Sequence, residues 1–116
     1  MKKEEKNLDA VEQQLVKTMK ALDLDMGMMT LFVLCSEKKG IEADLEKVSK
    51  TLDKFDKAFD KEPINNVNVG LSTIVINSGK KLISDLESLR KKIDKPEDNI
   101  LELLSKAQKL TNEIIA

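Results

Sequence analysis

Three stretches of this chain place reactive residue types at a suggestive spacing; two fail at a decisive position and the third in its surroundings. Asp23-x-Asp25-x-Gly27 opens like a calcium-binding loop, with carboxylates at its first and third positions. Such a loop needs an acid at its twelfth position to complete the oxygen cage, and that residue is Leu34. Ser78-Gly79-Lys80-Lys81 has the glycine and lysine of a phosphate-cradling loop. Its partner glycine, Gly70, lies nine residues back instead of five, and Lys81 stands where a metal-binding hydroxyl belongs. Asp56 and Asp60 are four residues apart, so a helix puts both carboxylates on one face, as paired acid–base groups require. Their lysine-rich surroundings point instead to a solvated surface.

The chain has no histidine. That removes the Glu-x-x-His pairs of di-iron bundles, histidine-based triads and the usual zinc sites. Cys35, the single cysteine, sits in an apolar run, where a thiol is more often buried and inert than nucleophilic. It has no internal disulfide partner, so an oxidising compartment is not implied. A non-enzyme without cofactor or metal is expected.

Composition narrows the classes further. Charged residues make up 35% of the 116 positions, 20 basic against 21 acidic. That balance provides no excess of positive charge for nucleic acid, and the absence of Tyr and Trp removes the usual base-stacking platforms. Met1-Lys2-Lys3 starts like a signal peptide, but Glu4 and Glu5 follow without an apolar core. The longest apolar run, 26–35, is broken by Gly27 and Thr30 and is far short of the ~20 residues that span a bilayer. A cytoplasmic protein without a membrane span is expected, in one domain covering 1–116.

The elements follow from apolar periodicity. A first helix over 4–22 aligns Leu8, Val11, Leu15, Met19 and Leu22 on one face. Asp23-Leu24-Asp25 offers turn and N-cap chemistry. Residues 26–38 then form either a fifth short helix or a continuation of the first, ended by Lys38, Lys39 and Gly40. A second helix spans 41–62 and a third about 71–94. Lys95-Pro96-Glu97-Asp98 restarts the chain into a last helix over 97–115, which buries Ile100, Leu103, Leu104, Ala107, Leu110 and Ile114. Residues 64–76 are rich in β-branched side chains, and Val67, Val69 and Leu71 alternate as in a strand. An irregular connector leading into helix after Gly70 is the preferred reading. The fold class is all-α, an antiparallel up-and-down bundle of four main helices.

Residues 41–93 form the clearest unit. Ile41, Leu45, Val48, Leu52, Phe55 and Phe59 step by threes and fours, as do Val75, Leu82, Leu86, Leu89 and Ile93, with Gly79 in the vacant slot. Antiparallel pairing at positions that sum to 134 sets Leu52 against Leu82, Val48 against Leu86, and Phe55 over Gly79. It also brings Asp44 near Lys92 and Glu42 near Arg90.

Four amphipathic helices already supply one small core, so 26–35 and 64–76 are apolar surplus. Monomers rarely leave large apolar patches in water. Met26, Met28, Met29 and Phe32, and Ile64, Val67, Val69 and Leu71, are therefore the candidate partner interface. The expected function is a helical interaction module, an adaptor, inhibitor or small assembly chaperone. It binds a protein partner or itself, with a homodimer as the leading case. The alternative is a protein acting near a membrane receptor. In size and composition alone, the chain is similar to the bacteriocin-immunity proteins, small lysine-rich helical bundles.

Overall fold

The computed structural model describes residues 2–61, 72–93, 95 and 97–116, with the side chains of the first helix described from Glu12 onward. Among the described residues there are four helices and no strand: α1 (Lys2–Cys35), α2 (Glu42–Asp60), α3 (Thr73–Lys92) and α4 (Asp98–Ile115). They form an antiparallel four-helix bundle. α2 packs on α3, α3 on α4 and α4 on α1, while α1 touches α2 over a far smaller area.

The α2–α3 hairpin adopts the register that its sequence pattern dictates. Ile41, Val48, Leu52, Phe55 and Phe59 are buried against Val75, Leu82, Leu86, Leu89 and Ile93, and Leu45 packs against the same core. Lys92 Nζ lies 3.1 Å from Asp44 Oδ2. A β-carbon placed on Gly79 would stand 3.2 Å from Phe55 Cε1 and 2.5 Å from Ile115 Cγ2. Gly79 is thus the point where α2 and α4 both close on the backbone of α3. The helical start of α3 is capped by Ser72, whose hydroxyl accepts from the Val75 amide at 3.4 Å.

One polar contact pins the same hairpin. Asp85 is only 5% exposed, and the Thr51 hydroxyl donates to its Oδ2 at 2.6 Å. Lys47 and Lys81 approach the carboxylate at 3.6 and 3.8 Å. A buried carboxylate costs several kcal/mol unless it is partnered, so a slipped register that separated Asp85 from Thr51 is disfavoured. α4 joins this pair through Gln108, whose amide donates to the Ile83 carbonyl and to Glu87.

α1 differs most from its sequence reading. The helix continues without a break through Asp23-Leu24-Asp25 and Gly27 for 34 residues, so of the two readings for 26–38 the continuation of the first helix holds, and it ends at Cys35. The reason is burial: Ala21, Leu24, Met28, Leu31 and Cys35 form one unbroken inner seam, which outweighs the turn-forming tendency of the aspartates. That seam also displaces the face expected to be buried. Leu15, Met19 and Leu22 point outward. The α1–α4 pairing is antiparallel, with Lys20 Nζ 2.8 Å from Glu113 Oε2 and Lys17 Nζ donating to the Ala116 carbonyl at 3.3 Å. Because α4 ends opposite Lys17, the first turns of α1 run beyond the end of α4. A 34-residue helix is about 51 Å long, close to the 57 Å length of the molecule.

At the far end, Gly40 takes a left-handed conformation (φ 91°) and its amide donates to Glu42 at 3.0 Å, which turns the chain into α2. The boundaries of α3 and α4 fall within two residues of those expected. Residues 64–71 of the apolar connector lie outside the described residues; Thr73 to Ile76 are helical.

Two core substitutions test this architecture. Leu86 is fully buried, so Leu86→Ala should cost about 2–5 kcal/mol in urea unfolding, and a loss well under ~1 kcal/mol would contradict the seam. Gly79→Leu should destabilise by about 1–3 kcal/mol despite leucine's better helix propensity, since the added side chain collides with Ile115 and Phe55. A more stable Gly79→Leu protein would place that position at the surface.

Candidate interaction face

α1 carries two apolar seams. The inner one packs on the bundle. The outer one is Leu15, Met19, Leu22, Met26, Met29 and Val33, and every member is at least 58% exposed. Its steps are four, three, four, three and four residues, the heptad spacing of a helix–helix seam. It therefore runs straight along α1 for about 27 Å. Thr18 and Thr30 flank it, and their hydroxyls donate back to the carbonyls of Gln14 and Met26 at 2.8 and 3.2 Å. With the hydroxyls bonded within the helix, these threonines present mainly methyl groups to solvent. Val16, 48% exposed, adds to the same patch.

Charge is unevenly divided around α1. Lys17 and Lys20 reach toward α4, as described above. The exposed charged residues from Glu12 to the end of the helix are Glu12 and Asp23, both acidic; Glu37, Lys38 and Lys39 follow beyond it. Three of the six stripe residues are methionines, whose flexible thioethers adapt to varied partner shapes.

The candidate interface residues separate accordingly. Met26 and Met29 lie on the outer stripe. Met28 is a correction: it is fully buried, one hundred degrees around the helix from its neighbours, and belongs to the core. Phe32 is partly buried and packs against that core. Ile64, Val67, Val69 and Leu71 lie outside the described residues. Leu15, Met19, Leu22 and Val33 were missed. Their signal was present as a second heptad phase on the same helix, with Leu15, Met19 and Leu22 assigned to the core instead.

The other chemistry-bearing groups have structural surroundings. Cys35 is fully buried, and burial pushes its thiol up, against a smaller opposing effect of Lys38. A cleft of about 260 Å³ between Lys38, Lys39, Ile41, Lys92 and Ile93 is smaller than the ~300 Å³ at which small-molecule sites begin, and Lys92 is already paired with Asp44. Among the described residues, no three acidic or cysteine side chains gather closely enough to hold a metal ion. None of the helices among them is long and apolar enough to cross a membrane.

The α1–α2 contact holds one unusual pair. Asp56 of α2 is close enough to Asp25 of α1 to share a proton with it, and Asp25 Oδ1 is buried with no hydrogen-bond partner among the described residues. Two carboxylates can bond only if one keeps its proton. Burial first, then the bond and the negative charges of Asp25, Asp60 and Asp53, push Asp56 up to about 8.

No family model matches the chain, and no curated protein or solved structure shows significant similarity to it.

The acid pair makes stability depend on pH. Unfolded aspartate titrates near ~3.9, whereas folded Asp56 does so at about 8. Between those values the folded protein holds a proton that the unfolded chain has released. Stability should therefore fall as pH rises through this window and level off above it. Asp56→Asn should flatten this slope. With water screening the partly exposed pair, it should stabilise the protein by on the order of 1 kcal/mol near the upper end. Urea titrations at several pH values check this; parallel curves for the two proteins would remove the pair from the account.

Proposed function

We propose that this chain is a non-enzymatic interaction module that binds itself or another protein chain through the outer face of α1. The observation that carries the reading is the uncovered heptad stripe from Leu15 to Val33. An apolar face on a surface helix has a ready alternative use as core, but here the core seam of the same helix is already occupied. Seven large apolar side chains, Leu15, Val16, Met19, Leu22, Met26, Met29 and Val33, are each about half exposed or more along this one face. A contiguous apolar surface of this kind is rare on a monomer and points to a partner. The role is that of an adaptor, an inhibitor or a small assembly chaperone. A buried free thiol suits a reducing, cytoplasmic setting.

Self-association is the occupancy available to the isolated protein. Light scattering coupled to size exclusion should show mass rising from monomer toward homodimer with concentration. Leu22→Gln/Met26→Gln should remain monomeric with an unchanged melting temperature, because both side chains are already in water. Self-association that persists unchanged in this variant would move the interface elsewhere.

A further inference from the structure

We infer that the outer face of α1 is built to receive a basic amphipathic helix from another protein, one with an apolar stripe at heptad spacing and Lys or Arg along its edges. The inference rests on the interaction-face reading above and adds the identity of the occupant.

Charge decides between occupants. In heptad terms, Met19, Met26 and Val33 share one core position and Leu15, Leu22 and Met29 the other. The positions that border such a seam are Val16, Asp23 and Thr30 on one side and Thr18, Asp25 and Phe32 on the other. Asp25 is turned to Asp56 of α2, so the exposed border charge is that of Asp23. Glu12 extends the seam at its N-terminal end. The lysines of this part of the helix, Lys17 and Lys20, are committed to Ala116 and Glu113 of the bundle.

A second copy cannot match this border. Packed antiparallel about the middle of the stripe, Asp23 meets Asp23 of the other copy. Packed parallel, Asp23 meets Thr18 and no ion pair forms across the seam. A helix edged with Lys or Arg places a cation opposite Asp23 and Glu12 in either direction, and its apolar stripe fills the same methionine-rich surface. Self-association is then the weak default that such a helix displaces.

The test uses two synthetic peptides of repeating leucine heptads, one with lysine at every bordering position and a twin with glutamate there. Binding to the full chain is followed by fluorescence anisotropy at two salt concentrations, with light scattering on the same mixtures. The lysine peptide should bind about tenfold or more tighter than its twin, lose affinity as salt rises, and convert self-associated protein into a one-to-one complex. Asp23→Asn should weaken it several-fold. Leu22→Gln/Met26→Gln should abolish it although every acid remains, which separates seating on the stripe from loose attraction to an acidic protein. Equal binding of the twins would overturn the basic-helix inference while leaving the interaction face intact. So would a tight dimer that resists the lysine peptide but dissociates in Leu22→Gln/Met26→Gln. If neither peptide binds and the protein is monomeric at every concentration, both readings fall.

Discussion

The absence of a side chain at Gly79 sets the spacing of three helices. Phe55 of α2 and Ile115 of α4 converge on that spot, and a single β-carbon there would stand inside the reach of both. The contact is large against small, the form of interdigitation that lets helices approach without voids. It draws α4 onto α3, and α4 in turn provides most of the surface on which α1 lies. A glycine in mid-helix weakens α3 by about 1 kcal/mol. The buried Phe55 ring and the inner seam of α1 outweigh that cost, since each fully buried large apolar side chain contributes on the order of 1.5–3 kcal/mol.

How much of this was legible depended on how many seams a helix carries. The α2–α3 hairpin was readable in detail because each arm has a single apolar stripe. The two stripes fit together in one register, and the loop and the Phe55–Gly79 match agree with it. α1 was misread because it has two stripes, offset around one cylinder. In its first half the outer stripe is the stronger in the sequence: Leu15, Met19 and Leu22 are large, whereas the inner positions there are Gln14, Lys17 and Ala21. Only from Leu24 onward does the inner seam become large and apolar, and there both stripes merge into an apparently uniform run. The Asp23-Leu24-Asp25 signal is local and weak, while burial of Leu24 and Met28 is tertiary and strong, so the helix continues. The Thr51–Asp85 bond was invisible for another reason. An aspartate beside lysines reads as surface, and only the packed hairpin reveals that it is enclosed.

The two acid contacts between helices have opposite consequences. Asp85 finds a hydroxyl and two nearby lysines, so its charge is satisfied in place and supports the α2–α3 register. Asp56 finds another carboxylate. The proton it needs is increasingly scarce as pH rises toward about 8. The repulsion falls on the smallest helix–helix contact in the bundle, between α1 and α2. α1 is therefore an edge helix in energy as well as in position, held firmly along α4 and loosely along α2.

Overall charge balance conceals this arrangement. The formal net charge is −1, which by itself suggests a surface with no preference. Cations, however, are drawn into pairs that hold the bundle: Lys20 with Glu113, Lys92 with Asp44, Lys47 and Lys81 with Asp85. Each lysine engaged in such a pair is missing from another face. On α1 that removal is complete between Glu12 and the helix end, where lysines face α4 and exposed acids face water. Folding thus leaves the outer edge of α1, from Glu12 onward, apolar with acidic exposed charges. The apolar part of that edge supplies affinity in proportion to the area it buries. The acidic border adds less, since exposed pairs contribute only about 0–1 kcal/mol each. Its effect is on choice, since a like-charged border is penalised and an opposite one is not.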